Sequence, residues 1–86
     1  MKKLTIIDPV GLHARPAMLI TQEAAKYKSD IYIINSEGAK GNLKSIMNVL
    51  ALGIKNGDIV TIEINGEDSD DAITGIESVM KTNKLI

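Results

Sequence analysis

The sequence predicts an α+β fold in which an antiparallel sheet carries helices on one face. Three observations predict it. β-prone runs and helical stripes follow one another in the order β-α-β-β-α-β-α. The second and third strands are joined by a tight Ser36-Glu37-Gly38 turn, the mark of a hairpin. The remaining connections are short, which favours antiparallel neighbours over long parallel crossovers. The 86 residues suit one domain, residues 1–86, with no linker, repeat or low-complexity segment.

The elements read in order. Leu4 to Ile7 is a short β-type run closed by Asp8-Pro9 and Gly11. From Ala14 to Lys28, the residues Ala14, Ala17, Met18, Ala24 and Ala25 recur at helical spacing. Pro16 suits a first helical turn, where the N–H it lacks would have no partner. Ile31-Tyr32-Ile33-Ile34 is strongly β-prone, and Ala39 to Leu43 returns as a short strand. Ser45 before Ile46–Leu52 and Gly53 after it are helix start and stop signals. Asn56-Gly57-Asp58 is a turn, after which Val60, Ile62 and Ile64 alternate with Thr61 and Glu63 in a half-buried strand. Asp68 is a suitable N-cap for a last helix whose buried stripe is Ala72, Ile73, Ile76, Val79 and Met80.

Composition removes several function classes. Ten Lys+Arg against eleven Asp+Glu give a net charge of −1, which excludes a strongly basic nucleic-acid-binding surface. With only two tyrosines and no Phe or Trp, base-stacking platforms lack material. No cysteine and a single histidine argue against a metal site. No cofactor is implied. The apolar run near Met1 is too short for a signal peptide and nothing approaches a membrane span, so the expected compartment is the cytoplasm.

Gly11-Leu12-His13-Ala14-Arg15-Pro16-Ala17 is the unusual segment. His13, the sole imidazole, sits in the turn before a helix. Arg15 precedes Pro16 and is biased to extended backbone, so the helix is expected to start at Arg15 or Pro16. Free N–H groups near Arg15, Ala17 and Met18 would then face the loop and form an anion site. Arg15 adds a planar guanidinium that can grip phosphoryl oxygens in pairs. An imidazole is partly neutral at physiological pH, as a nucleophile must be. The plainer alternative is a polar loop histidine with no chemistry.

The segment from Gly11 to Leu19 resembles the active-site signature of the HPr family, the histidine-containing phosphocarriers of the bacterial phosphoenolpyruvate-dependent sugar phosphotransferase system. A second segment, Lys44 to Gly53, resembles the family's regulatory serine region. Length, element order and the segment from Gly57 to Asn65 agree, so the resemblance covers essentially the whole chain. It implies an open-faced sandwich of four antiparallel strands with three helices on one side. It implies that His13 accepts phosphate on Nδ1, that Arg15 supports the phosphoryl group, and that the phosphoryl-binding set is Ala14, Arg15 and Ala17. Ser45 matches the serine modified by an ATP-dependent kinase, with its phosphatase, in bacteria that have one. The implied partners are Enzyme I and sugar-specific IIA domains; a transcription factor is left open. The implied species is a monomeric carrier, not an enzyme. Asn48 stands where many members carry glycine.

Two alternatives stand beside these readings. Ser before an apolar helix is most often an N-cap, worth about 1 kcal/mol over Ala. The helix from Ile46 is apolar nearly all round, with one stripe at Ile46, Val49 and Leu50 and another at Met47, Leu50, Ala51 and Ile54. Either both are core, or one is exposed as a partner surface formed by Ile46, Met47 and Leu50 with Ala17. The competing function is a non-catalytic regulatory module acting through Ser45 and this apolar helix. Within the carrier class, a nitrogen-regulation branch is the other option.

Overall fold

The computed structural model describes residues 1–86. It contains β1 (Lys2–Thr5), α1 (Ala14–Ala24), β2 (Asp30–Ile34), β3 (Lys40–Asn42), α2 (Ile46–Ala51), β4 (Ile59–Asn65) and α3 (Ser69–Thr82). The strands form one antiparallel sheet in the order β1-β4-β2-β3. The expected architecture is the observed one. No helix is long and apolar enough to cross a membrane.

Register follows the hydrophobic pattern. Leu4 pairs with Val60, Ile33 with Ile62 and Ile31 with Ile64, so the apolar side chains of three strands lie side by side on one face. The helices cover that face with Ala17, Ile20 and Ala24 from α1, Val49 from α2, and Ala72, Ile76 and Met80 from α3. The opposite face is mixed, with Ile34 and Ile59 beside Tyr32, Thr61 and Glu63. There Lys40 Nζ lies 2.9 Å from Glu63 Oε1 and 4.4 Å from the centre of the Tyr32 ring.

Element ends depart from expectation for identifiable reasons. The first strand occupies Lys2–Thr5 rather than Leu4–Ile7, because its ladder with β4 ends where Thr5 meets Ile59. Ile6 stays fully buried and is held by the turn at Asn56–Asp58, donating to Asp58 O and accepting from Gly57 N. Helix α1 stops at Ala24, since Lys26 and Tyr27 donate to carbonyls three residues back and tighten the last turn. Asp68 holds the N-cap position of α3, but its side chain makes no cap. Its carboxylate instead accepts the N–H groups of Lys28 at 2.8 Å and Ser29 at 2.9 Å, together with the Ser29 hydroxyl. Those donors hold Asp68 below the usual carboxylate range, with Ser29 the main cause.

Helix α1 crosses α3 at Gly75, where an added Cβ would stand 2.6 Å from Glu23 Oε2 and collide with the Tyr27 hydroxyl. The Tyr27 hydroxyl donates to Glu23 at 2.7 Å, which raises the phenol's pKa.

Helix α3 ends in a left-handed cap. Lys84 has φ 57°, Lys84 N donates to Lys81 O, and Leu85 N donates to Met80 O at 2.8 Å. This turn directs Leu85 into the core beneath the loop that carries His13.

Candidate functional site

The loop between β1 and α1 is fixed from several sides. Asp8-Pro9-Val10-Gly11 forms a turn in which Gly11 N donates to Asp8 O at 3.0 Å and Val10 N donates to Asp8 Oδ1 at 2.8 Å. Gly11 has φ +83°, and a Cβ there would lie 2.7 Å from Lys55 Cα. Only glycine allows so close an approach. Leu12 N donates to Ile54 O at 3.1 Å, tying the loop to the segment after α2. Asn56 Nδ2 donates to Ile7 O at 3.0 Å, and Ile7 N donates to Leu85 O at 2.8 Å. The imidazole therefore stands on a rigid mount.

His13 is the N-cap residue of α1, with extended backbone (φ −84°, ψ −171°) and no capping bond from its side chain. Helix α1 thus begins at Ala14, earlier than the expected Arg15 or Pro16. Arg15 takes helical backbone despite the extended bias of a residue before proline, and Pro16, at the third helical position, costs no hydrogen bond there. The amides of Ala14 and Arg15 have no acceptor in the chain, and Pro16 has no N–H. Two adjacent N–H groups therefore remain at the positive end of the helix, next to the His13 imidazole.

Two expectations for this turn are corrected. Ala17 N donates to His13 O at 3.0 Å and Ala17 is fully buried, so it offers neither a free amide nor a surface contact. Met18 lies one turn into the helix, where its N–H belongs to the helical ladder. The neighbouring Met18 side chain is 42% exposed.

A cavity of about 310 Å³ opens beside the ring, lined by Asp8, His13, Arg15, Pro16, Leu19, Asn83 and Leu85. Arg15 is exposed, and no carboxylate of the chain lies within ion-pair distance of its guanidinium. His13 and Arg15 line this space, and the unpaired amides of Ala14 and Arg15 lie at the adjoining helix start. Asp8, Asn83 and Leu85 are members of the cavity that sequence reasoning missed. Asp8 carried a signal, an ionisable residue five positions before the histidine; Asn83 and Leu85 carried none, as they arrive from the far end of the chain.

Ser45 caps α2. Its Oγ accepts from Asn48 N at 3.3 Å and from Asn48 Nδ2 at 3.1 Å. Asn48 Oδ1 in turn accepts from Asn42 N at 3.1 Å, so the asparagine ties the cap to β3. The neighbouring Lys44 Nζ donates to Tyr27 O at 2.6 Å, fastening the α2 entry to the end of α1. Neither expected stripe of α2 is wholly buried or wholly exposed. Val49 and Ile54 are buried, whereas Ile46 (39%), Met47 (77%) and Leu50 (39%) are exposed. Exposed apolar side chains thus cluster on this one short helix.

Known proteins resemble the chain over its whole length. The family model described as the PTS HPr component phosphorylation site matches residues 1–82. The chain is 43% identical to the phosphocarrier protein HPr of Mycoplasma pneumoniae, with both chains fully covered. It is 52% identical to that of Mycoplasma capricolum, over 94% of this chain and 90% of the relative. A solved mycoplasma histidine-containing phosphocarrier protein superposes with a TM-score of 0.95 at 49% identity, covering 99% of this chain and 96% of the other. On its sequence, its sheet order and its whole-length match, the chain belongs to the HPr family, the bacterial phosphocarriers of the phosphotransferase system.

Proposed function

We propose that this chain takes a phosphoryl group from phospho-Enzyme I onto His13 Nδ1 and passes it to a histidine of a sugar-specific IIA domain in the cytoplasm. The observation that carries the proposal is the uncapped, exposed His13 beside the unpaired amides of Ala14 and Arg15. In the forward step, the Nδ1 lone pair forms the N–P bond. The bond from phosphorus to the donor atom breaks, and its electron pair leaves with the donor. The transition state is loose, with charge spread over three equatorial oxygens, so positioning and electrostatics supply most of the catalysis. The two amides and the Arg15 guanidinium stabilise that charge. The reverse displacement delivers the group to the next acceptor. The protein is a monomeric, stoichiometric carrier acted on by its partners.

Ile46, Met47 and Leu50, joined by Met18, form the docking face for Enzyme I and the IIA domains in this reading. Methionine adapts to more than one partner. Ser45, at the edge of that face, is the regulatory phosphorylation position. A regulatory module without phosphoryl transfer leaves the arrangement around His13 unexplained and is the weaker reading.

The test is incubation with phosphoenolpyruvate and Enzyme I. The intact chain should gain acid-labile phosphate, and His13→Ala should gain none while folding normally, since an exposed loop residue contributes little to the core. Acid-labile label retained by the His13→Ala variant refutes the assignment.

A further inference from the structure

We infer that Asp8 is a positioning residue for the phosphoacceptor: its carboxylate holds the His13 proton on Nε2 and stabilises the imidazolium formed during transfer. The inference rests on the function proposed above and concerns the same ring. Asp8 Oδ1 lies 3.9 Å from His13 Nε2, and the side chains are 20% and 43% exposed, respectively. The carboxylate is fixed, because the same Oδ1 accepts the Val10 N–H at 2.8 Å and the Asp8 carbonyl accepts the Gly11 N–H at 3.0 Å. Its orientation therefore belongs to the loop and does not depend on the imidazole.

The chemistry follows from which nitrogen faces the charge. A neutral imidazole has one N–H and one lone pair, and the hydrogen bond made by one nitrogen decides the role of the other. A carboxylate facing Nε2 favours the tautomer with its proton there. The Nδ1 lone pair is then free on the far side of the ring from Asp8. When Nδ1 bonds to phosphorus, the Nε2 proton stays in place and the ring becomes a cation. No proton enters or leaves, and the electron pair of the broken bond departs with the donor. Asp8 faces the positive charge as it develops, as the buried carboxylate of a Ser-His-Asp triad does for its imidazolium. Arg15, the other charged group lining the cavity, is left to the phosphoryl oxygens. A separation of 3.9 Å exceeds a hydrogen bond, but such contacts commonly shorten in the reacting complex.

Asp8→Asn separates charge from loop structure, because an amide oxygen can still accept the Val10 N–H. The measurements are nitrogen-15 spectra of the unphosphorylated ring at alkaline pH and the rate of transfer from phospho-Enzyme I. The Asn variant should show a smaller Nε2–H population and transfer about tenfold more slowly. Asp8→Glu, which keeps the charge, should recover part of both. Equal tautomer populations in the intact chain and the Asn variant overturn the inference. Slow transfer with unchanged tautomers also overturns it, because loop geometry is then the cause. If the intact chain accepts no phosphate, the carrier reading fails, while the nitrogen-15 comparison still decides what Asp8 does to the ring.

Discussion

The Leu85 carbonyl accepts the Ile7 N–H at 2.8 Å, joining the last turn of the chain to the start of the loop that carries His13. Leu85 also closes one side of the cavity beside the imidazole. The position of this leucine depends on the left-handed turn at Lys84 that ends α3. The cap is thus part of the mount of the loop that carries His13, though it lies more than seventy positions away in sequence.

That dependence gives the first prediction. Lys84 adopts φ 57°, a region that side chains with a Cβ enter at a cost and glycine enters freely. Lys84→Gly relieves the strain but adds freedom to the unfolded chain, so the net gain should be about 0.5 kcal/mol. The melting temperature should rise by roughly 2–4 °C. Thermal unfolding checks it; a lower melting temperature would show that the lysine side chain contributes more than its backbone strain removes.

The link between Asp68 and Ser29 makes stability depend on acid. Asp68 is held below its ordinary value, first by Ser29 and then by the Lys28 amide, so its ionised form is favoured in the folded state. For a depressed carboxyl, the unfolded chain takes up the proton first as pH falls. The contribution is complete above the ordinary Asp value of about 4 and is lost as pH drops through the lower folded value. Asp68→Asn should therefore lower the melting temperature at pH 7, and the gap between variant and parent should close toward pH 2. A gap that stays constant across that range rules out a role for the charge.

Arg15 should act on the phosphoryl group and not on the fold. It is the only arginine in the chain, it is exposed, and it has no carboxylate partner. Arg15→Lys keeps a positive charge and loses the planar pair of donors. Transfer in both directions should slow by roughly tenfold, or about 1.4 kcal/mol, while the melting temperature shifts by no more than about 2–3 °C. Stopped-flow transfer rates with Enzyme I and with a IIA domain make the comparison, and unchanged rates would remove Arg15 from the site.

These residues also show what was legible beforehand. His13 and Ser45 lie beside helix starts, and helix starts are local signals of residue type over four or five positions. The sheet follows from alternation and from one hairpin turn, both local. Helical periodicity identifies an apolar stripe without saying which of its members touches the sheet. The stripe of α1 turned Ala17 inward and left Met18 outside. The expected start of α1 rests on the bias before proline, which the helix overrides at Arg15. The residue types around Asp68 suggest an N-cap, but its partners lie 39 and 40 positions earlier, just before β2. Contacts of that kind arise only when the sheet brings distant segments together.

Ser45 yields the last prediction, because two of its roles separate experimentally. As the N-cap of α2 it accepts the Asn48 N–H, and an Asp at this position caps about as well as Ser. Ser45→Asp should therefore hold the melting temperature, whereas Ser45→Ala should lose about 1 kcal/mol. The effect on transfer runs the other way. The residue adjoins Ile46, Met47 and Leu50, whose exposed side chains form the proposed docking face. A carboxylate there must lose water on docking or meet like charge in the partner, and either effect weakens association. A phosphate, with about −1.5 to −2 charge, would act more strongly in the same sense. Enzyme I-dependent phosphorylation of His13 should then slow by roughly tenfold in the Asp variant, or about 1.4 kcal/mol, and stay normal in the Ala variant. The comparison needs transfer rate and melting temperature for both proteins. A normal rate in a fully folded Asp variant would leave Ser45 with its capping role alone.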